Sequence, residues 1–516
     1  MPGGEVVEIL DAIRRKGMRF VLTHNEASAV FMADAVARMT GKPGVSISTL
    51  GPGATNAVTG VAHAFLDRAP VIHITAQKPD NLLPDYTHQV LNLHALYRPI
   101  TKGTFKLTAD DAAATIQHAL RMVQEGRPGP VHLQVSNEEA GAEVHNLPPV
   151  PQNATANNGS GGTRLAGLVT QARTLLQQAR RPIIVAGLGL EPEGPYQALQ
   201  ELAEAAQAPI IVTPKVKGAI SDRHALAAGT IGLTRTDAVY TLLEEADCIV
   251  AVGFDVVELV KPWQHDAPLI WLAPWANQDP VLPAAVEFVG PMRPILQQLA
   301  DSDFAPNADW GEKRVAAHHQ QCAAGPLPPP SPLRLQPQTV LAALRRQVAD
   351  DTLMAVDVGS HKIFHSLAWP TYAPNRFMLS NGLSSMGYAL PSALGASLGL
   401  DGAPTVCVTG DAGMAMVLGE LGVLAELQLP VLVVVLNDGA IDLIRSHQRR
   451  SGKPVYGTEF TSPNFSQIAA AYGINGSRVT SEDELNAAVA AALSTNQPAL
   501  IEVMLDPKSY PTTPVY

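Results

Sequence analysis

Cysteine is scarce in this sequence, and the three present, Cys248, Cys322 and Cys407, lie far apart. An odd number of scattered thiols offers neither a disulfide framework nor metal-ligand spacing, and it fits a protein from a reducing compartment. Charge is thin as well: Asp, Glu, Lys and Arg make up 16% of the residues, and no block of Lys or Arg interrupts a formal net charge of -11. That pattern excludes a nucleic-acid footprint, and the acidic balance is read as serving solubility. Long uncharged apolar runs are missing too, so no membrane-spanning segment is expected. The opening, Met1-Pro2-Gly3-Gly4-Glu5, has no basic and apolar leader, and a cytoplasmic location is expected.

Apolar residues, by contrast, make up 46% of 516 residues, enough to bury several cores. Two stretches break the pattern. Residues 147–163 are rich in Pro, Asn and Gly, and residues 305–338 contain Gly325-Pro326-Leu327-Pro328-Pro329-Pro330-Ser331-Pro332. Read as extended connectors, they divide the chain into a first unit, 1–146, a central unit, 164–304, and a third unit, 339–516. Within each, β-branched runs alternate with helical stretches, for example Gly44 to Ser48, Pro70 to Ile74, Pro182 to Ala186, Cys248 to Val252, Thr405 to Val408 and Val431 to Leu436. Short apolar strands separated by helices predict an α/β fold of three consecutive, doubly wound parallel sheets. Ligands of such sheets bind at the carboxyl ends of the strands.

Two strand ends in the third unit each present an aspartate. One run leads into Gly410-Asp411-Ala412-Gly413, the other into Asn437-Asp438-Gly439-Ala440. Asp411, Asp438 and the Ala440 carbonyl offer hard oxygen ligands to Mg²⁺, while the glycines let backbone amides approach a diphosphate. Either element alone is also an ordinary turn, where Asp is common. Near the start of the chain, Thr23-His24-Asn25-Glu26 sets an acid at the head of an apolar helix. The three-residue spacing of Thr23 and Glu26 is that of a capping box, so Glu26 is either a cap or a functional acid.

Gly410-Asp411-Ala412, with 25 residues between Asp411 and Asn437-Asp438, resembles the thiamine-diphosphate motif of the acetohydroxyacid synthase (acetolactate synthase large-subunit) and pyruvate oxidase group. Two departures stand out: Ala412 where many members have Gly, and Asp438 where many have Asn. The likeness extends to Asp357-Val358-Gly359-Ser360-His361, to Ser380-Asn381-Gly382-Leu383-Ser384-Ser385-Met386-Gly387, and to Leu50-Gly51-Pro52-Gly53-Ala54-Thr55-Asn56. It implies pyrimidine-binding, central and diphosphate-binding domains in that order. Glu26 would hydrogen-bond N1′ of the aminopyrimidine, with Gly51, Pro52, Gly53 and Asn56 beside it. Val358, Gly359, Ser360 and His361 would form a diphosphate turn. Ser384 would sit in the loop holding Met386, the wedge that bends the cofactor, although by itself Met386 reads equally as a core methionine. Asp411, Ala412, Gly413, Asp438, Ala440, Ile441 and Leu443 would complete the cofactor site, with Asp411, Asp438 and Ala440 on Mg²⁺.

Tyr86-Thr87-His88-Gln89 and Leu96-Tyr97-Arg98-Pro99-Ile100-Thr101-Lys102 resemble the catabolic, FAD-independent, pyruvate-specific acetolactate synthases. Gln89 and Lys102 match catalytic positions lining the substrate pocket, where an amide and an ammonium would hold a carboxylate or oxyanion. His88 either joins them or is a solvated loop residue. Asp442 also follows the catabolic pattern, where Gly is common in anabolic members. Those anabolic members bind a non-redox FAD through an Arg and acidic residues in the region where this chain reads Phe254-Asp255-Val256-Val257, a departure that argues against FAD. Glycine-rich turns at Ala186-Gly187-Leu188-Gly189 and Gly253 are weak signals alone. Lys215 and Lys217 read as surface charge or pocket lining.

The resemblance implies decarboxylation of pyruvate, a 2-oxoacid, and carboligation to a second pyruvate, giving 2-acetolactate. Sulfoacetaldehyde acetyltransferase and pyruvate oxidase are the alternatives within the group; glyoxylate carboligase lacks the glutamate that Glu26 matches. The implied assembly is a homodimer or homotetramer with active sites at the subunit interface. Family members usually carry a helix and a strand before the Pro-Gly-Gly-Glu-like turn. A first sheet lacking its first strand, with apolar surface uncovered, is therefore expected, and it keeps open a non-catalytic or defective relative.

Overall fold

The run Val431–Asn437 is buried at every residue, as are Cys248–Val252 and Val131–Ser136, the signature of strands covered on both faces. The computed structural model of the chain describes residues 1–85, 87–144, 162–234, 237–278, 281–322, 332, 334–506 and 510. Tyr86, nearly all of the 147–163 stretch and the residues from Gly325 to Ser331 lie outside them.

Three parallel sheets follow one another along the chain. The first joins β1 (Gly44–Ser48), β2 (Val71–Gln77), β3 (Gly103–Lys106) and β4 (Val131–Ser136) in the order β1-β2-β4-β3. The second joins β5 (Pro182–Ala186), β6 (Ile210–Val212), β7 (Ala227–Thr230), β8 (Cys248–Val252), β9 (Leu269–Ala273) and β10 (Val286–Val289) in the order β10-β9-β8-β5-β6-β7. The third joins β11 (Leu353–Val356), β12 (Phe377–Leu379), β13 (Thr405–Gly410), β14 (Val431–Asn437), β15 (Asn475–Val479) and β16 (Ala499–Met504) in the order β12-β11-β13-β14-β16-β15. With helices between the strands, this is the expected α/β architecture. In the third sheet β13 and β14 are neighbours, which brings the Asp411 and Asp438 turns side by side.

Helix Glu26–Thr40 belongs to the first unit yet packs along helix Ala389–Gly399 of the third, with Phe31, Met32 and Ala35 sharing a core with Leu390, Ala393 and Leu394. The approach is close because of Gly395: a Cβ there would lie 2.4 Å from the Met32 carbonyl oxygen. A buried ionic joint ties all three units. Asp34 accepts from Arg38 Nε at 2.7 Å and from the Tyr388 hydroxyl at 2.9 Å, and it lies 2.9 Å from His63 Nε2. His63 Nδ1 is 2.8 Å from Asp67, which pairs with Lys215 of the central unit at 2.9 Å. Arg38 reaches on to Glu191. Lys215 and Lys217 are therefore interior residues, 2% and 3% exposed, and not surface charge.

Within 305–338 the chain is not extended throughout: helix Glu312–Cys322 docks by the Arg314–Glu245 pair at 2.7 Å, with Val315 buried. In the first sheet β1 lies at an edge, with no strand on its outer side among the described residues, and Val45 is 56% exposed. A groove of about 560 Å³ runs beside it, lined by Phe20, Leu22, Met32, Val36, Val45 and Ile47 among others.

Candidate active site

The candidate residues gather in two groups. In the first unit, Asn25 and not Thr23 caps the helix, its side chain accepting from the Ala27 amide at 2.8 Å. Thr23 turns its hydroxyl to the Asn25 carbonyl instead, so the anticipated capping box does not form. Glu26, 6% exposed, is thereby released from capping and accepts from Asn56 Nδ2 at 3.2 Å. Asn56 ends the short helix Pro52–Asn56, and Gly51 before it sits at φ 57, where a Cβ would meet Gln89 at 2.8 Å. A Cβ on Gly53 would lie 3.4 Å from Glu26 Oε1. The Gly-Pro-Gly turn thus lies against Glu26 on one side and Gln89 on the other. Gln89 and His88 are exposed. Lys102 is not gathered with them: its ammonium donates to the Glu125 carbonyl, and burial lowers its pKa.

In the third unit four chain segments converge at the ends of β11, β13 and β14. Asp411 accepts from the amides of Ala412 at 2.9 Å and Gly439 at 2.8 Å, and from the Ser462 hydroxyl. Asp438 accepts from the Ala440 amide at 3.2 Å and from Arg445 at 3.3 Å. Burial, reinforced by the neighbouring charges of Asp411 and Asp442, pushes Asp438 up to about 7; burial raises Asp411 as well. A buried carboxylate whose ionisation is opposed by its neighbour's charge suits a cation between the two. Among the described residues no cluster of three or more His, Cys, Asp or Glu side chains is arranged to hold a metal, so carbonyl and non-protein oxygens would have to complete its shell.

The turn Val358–His361 meets residues that flank this pair. Ser360 donates to Asp442 at 2.8 Å, and the His361 ring fills the space a Cβ on Gly410 would take, 2.9 Å from it. His361 Nε2 is buried without a hydrogen-bond partner, and burial drives its pKa down to about 3, so the ring is neutral. An orphaned buried nitrogen at the start of helix Ser360–Ala368 fits a polar ligand there. Gly413 is buried beneath, Ala412 is half-buried, Ile441 is exposed, and Leu443 is half-buried in helix Asp442–Arg450. Ser384 is exposed and accepts from Lys362 Nζ at 3.0 Å; Met386 beside it is half-buried, not part of a core. Burial lowers Lys362 to about 8.

Asp357 opens the motif Asp357-Val358-Gly359-Ser360-His361, and nothing in the sequence marks a role for it. Its carboxylate holds the Met386 loop through the amides of Gly387 at 3.1 Å and Tyr388 at 3.2 Å, and it accepts from Thr409 at 2.7 Å. Burial raises it to about 6. Arg445 and Ser462 were missed too: they reach Asp438 and Asp411 from segments with no turn motif. Among the described residues, no hydrogen bond or ion pair joins the Glu26 group to the Asp411 group within the chain.

In the central unit Glu258, 1% exposed, accepts from the Leu188 amide at 2.9 Å, from the Asp255 amide at 3.4 Å and from the Thr213 hydroxyl. A Cβ on Gly187 would lie 2.6 Å from its oxygen, and the Gly189 amide already donates to the Gly253 carbonyl at 2.7 Å. The amides a dinucleotide phosphate would use at this turn are thus taken by a carboxyl and a carbonyl. The residues present do not fit FAD here.

Three tandem α/β units, with a glycine-rich turn and two aspartates at adjacent strand ends of the last, define a thiamine-diphosphate-dependent enzyme. Models of the thiamine pyrophosphate enzymes match accordingly: the N-terminal TPP binding domain over residues 1–96, the central domain over 169–299 and the C-terminal TPP binding domain over 357–503. The chain is 30% identical to a probable acetolactate synthase large subunit of Methanococcus aeolicus, covering 98% of this chain and 89% of that one. It is 30% identical to the acetolactate synthase isozyme 3 large subunit of Escherichia coli (strain K12), over 98% and 91% of the two chains. It is 29% identical to the acetolactate synthase of Bacillus subtilis (strain 168), over 98% and 90%. The chain belongs to the acetolactate synthase large-subunit family of thiamine-diphosphate enzymes. No helix among the described residues is long and apolar enough to cross a membrane.

Proposed function

We propose that this chain decarboxylates pyruvate and joins the remaining two-carbon unit to a second pyruvate, forming 2-acetolactate. The observation that carries the reading is the pairing of a buried carboxylate, Glu26, with Asn56 in the first unit, alongside the convergence of the Ser360, Ser384, Asp411 and Asp438 loops in the third. Asp411, Asp438 and the Ala440 carbonyl would hold Mg²⁺, supplying charge against a diphosphate. Val358 to His361, with Ala412 and Gly413, would receive that diphosphate through the helix start and His361 Nε2. Thiamine diphosphate, when bound, supplies the electron sink for the pair released with CO₂.

The protein's own part is to fix a proton and exclude water. Asn56 holds one oxygen of Glu26; the other, 3.6 Å from the Met1 amino group, would hydrogen-bond the aminopyrimidine by exchanging that contact. Gln89, beside Gly51, would hold the substrate carboxylate; Lys102 would serve there only by leaving the Glu125 carbonyl. The family resemblance, with no described bond joining the Glu26 and Asp411 groups within one chain, supports an assembly of two or four copies that completes the site across an interface. Domain limits at 147–163 and 305–338, the absence of FAD and a cytoplasmic location complete the proposal.

Purified chain incubated with pyruvate, Mg²⁺ and thiamine diphosphate should release CO₂ and acetolactate in equal amounts. CO₂ without acetolactate rejects the carboligation. Acetyl phosphate formed in its place, with inorganic phosphate and oxygen present, would identify the oxidase alternative; no cofactor binding at all would identify a non-catalytic relative.

A further inference from the structure

Helix Leu93–Tyr97 ends on a tyrosine with no exposure, and its surroundings are polar to an unusual degree for the middle of a sheet layer. The Tyr97 ring stacks on His132, 4.3 Å between centroids and 21° from parallel, and lies 5.4 Å from the His73 ring. His132 is hydrogen-bonded with Thr75 on one nitrogen and Thr104 on the other, both at 2.7 Å, and His94 joins Thr104 at 2.7 Å. His73 is hydrogen-bonded with Ser46 at 2.9 Å. Both ring nitrogens of His132 are satisfied and its burial keeps it uncharged, so the stack is a fixed platform of known orientation.

From that platform the Tyr97 hydroxyl donates to the Ala54 carbonyl. Ala54 lies in the helix Pro52–Asn56, which at five residues cannot hold its shape unaided. The same short helix carries Asn56, which holds Glu26, and Gly53, which lies against it. The Tyr97 phenol is raised by burial and then by the Glu26 charge itself, so it stays a donor and stands within the electrostatic reach of that carboxylate.

We propose that Tyr97 is a positioning residue for Glu26, setting through the Ala54 carbonyl the depth and rotation of the short helix from which Asn56 holds the carboxylate. The role rests on the functional reading of Glu26 given above. The ring alone would fill the space; the hydroxyl is what fixes the helix, so Tyr97→Phe isolates the function.

The test needs no 2-oxoacid. Exchange of the C2 proton of thiamine diphosphate into D₂O is followed by acid quench and proton NMR, with Mg²⁺ and the full chain as native protein, Tyr97→Phe, Glu26→Gln and the double variant. Tyr97→Phe should slow exchange about fivefold, the rate equivalent of one ordinary hydrogen bond, and should bring no further loss in the Glu26→Gln background. A structural weakening would lower both backgrounds alike, and that result, or an unchanged rate in Tyr97→Phe, overturns the inference. Should Tyr97→Phe fail to fold, Asn56→Ala enters the same cycle with the same expectation and the same overturning result. A native chain that exchanges no faster than free cofactor overturns the functional reading instead.

Discussion

Lys215 of the central unit and Asp67 of the first are 2.9 Å apart, both 2% exposed, and that pair is where the three units are pinned together. Asp67 also meets His63 at 2.8 Å and accepts from the amides of Asn381 and Gly382 at 3.3 and 3.2 Å, whereas among the described residues Lys215 has no other close partner for its ammonium. Removal of Asp67 therefore strands a buried cation, a loss of about 3–5 kcal/mol. Lys215→Met removes the isolated member and should cost clearly less. Urea unfolding followed by circular dichroism checks the order; equal losses would show that the joint does not depend on Asp67.

Glu26→Gln should retain thiamine diphosphate, measured by quenching of intrinsic fluorescence, and lose turnover by about 10²–10⁴-fold, the range for an essential acid or base. Gln keeps the size and can still accept from Asn56, but it cannot carry the carboxylate's charge or proton. Turnover within a factor of two of native would take Glu26 off the catalytic list.

Asp411 and Asp438 should not be equivalent. Asp411 accepts two amides and a hydroxyl, so Asp411→Ala both removes a metal ligand and releases the Gly439 turn; Mg²⁺-dependent activity should vanish at all metal concentrations tried. Asp438→Asn keeps an oxygen and relieves the repulsion from Asp411 and Asp442 that raises Asp438, so activity should persist with a Mg²⁺ requirement shifted less than about tenfold. Titration of activity against Mg²⁺ separates the two, and equal loss would argue against a shared cation.

Glu258 carries the clearest pH signature. Burial raises its carboxyl from 4.5 to about 8. A folded pKa above the unfolded one contributes stability that is full below the unfolded value and is lost as pH rises through the folded value. Glu258→Gln removes that penalty, so its stability relative to native should grow with pH by about 1 kcal/mol per unit between pH 5 and 7. Urea midpoints at pH 4.5 and 7.5 check this; a difference that does not change with pH would mean Glu258 is not the titrating group.

The three sheets were legible because every central strand is a short β-branched run between helices, and that pattern survives without knowledge of tertiary contacts. The aspartates at the ends of β13 and β14 were legible for the same reason: a turn motif marks its own strand end. Arg445, Ser462 and Asp357 were not, since each acts on a residue distant in sequence or distinguished only by burial. Lys215 and Lys217 show the limit most plainly. A lysine after a short strand has no local mark of being interior; Asp67, distant in sequence, pairs with Lys215, while Asp222 and the Thr230 hydroxyl meet Lys217. The Thr23–Glu26 spacing misled as a cap because Asn25, two residues nearer the helix, takes the Ala27 amide.

The open margin of β1 bears on how the protein is expected to behave in concentrated solution. A strand whose outer amides and carbonyls face outward, with Val45 exposed beside an apolar groove, is a template onto which another chain can zip, and no bulge, proline or lysine within Gly44–Ser48 discourages it. Light scattering at rising concentration should therefore show association that Val45→Lys suppresses while leaving the catalytic residues untouched, making this edge, rather than the chemistry, the feature that limits handling of the enzyme.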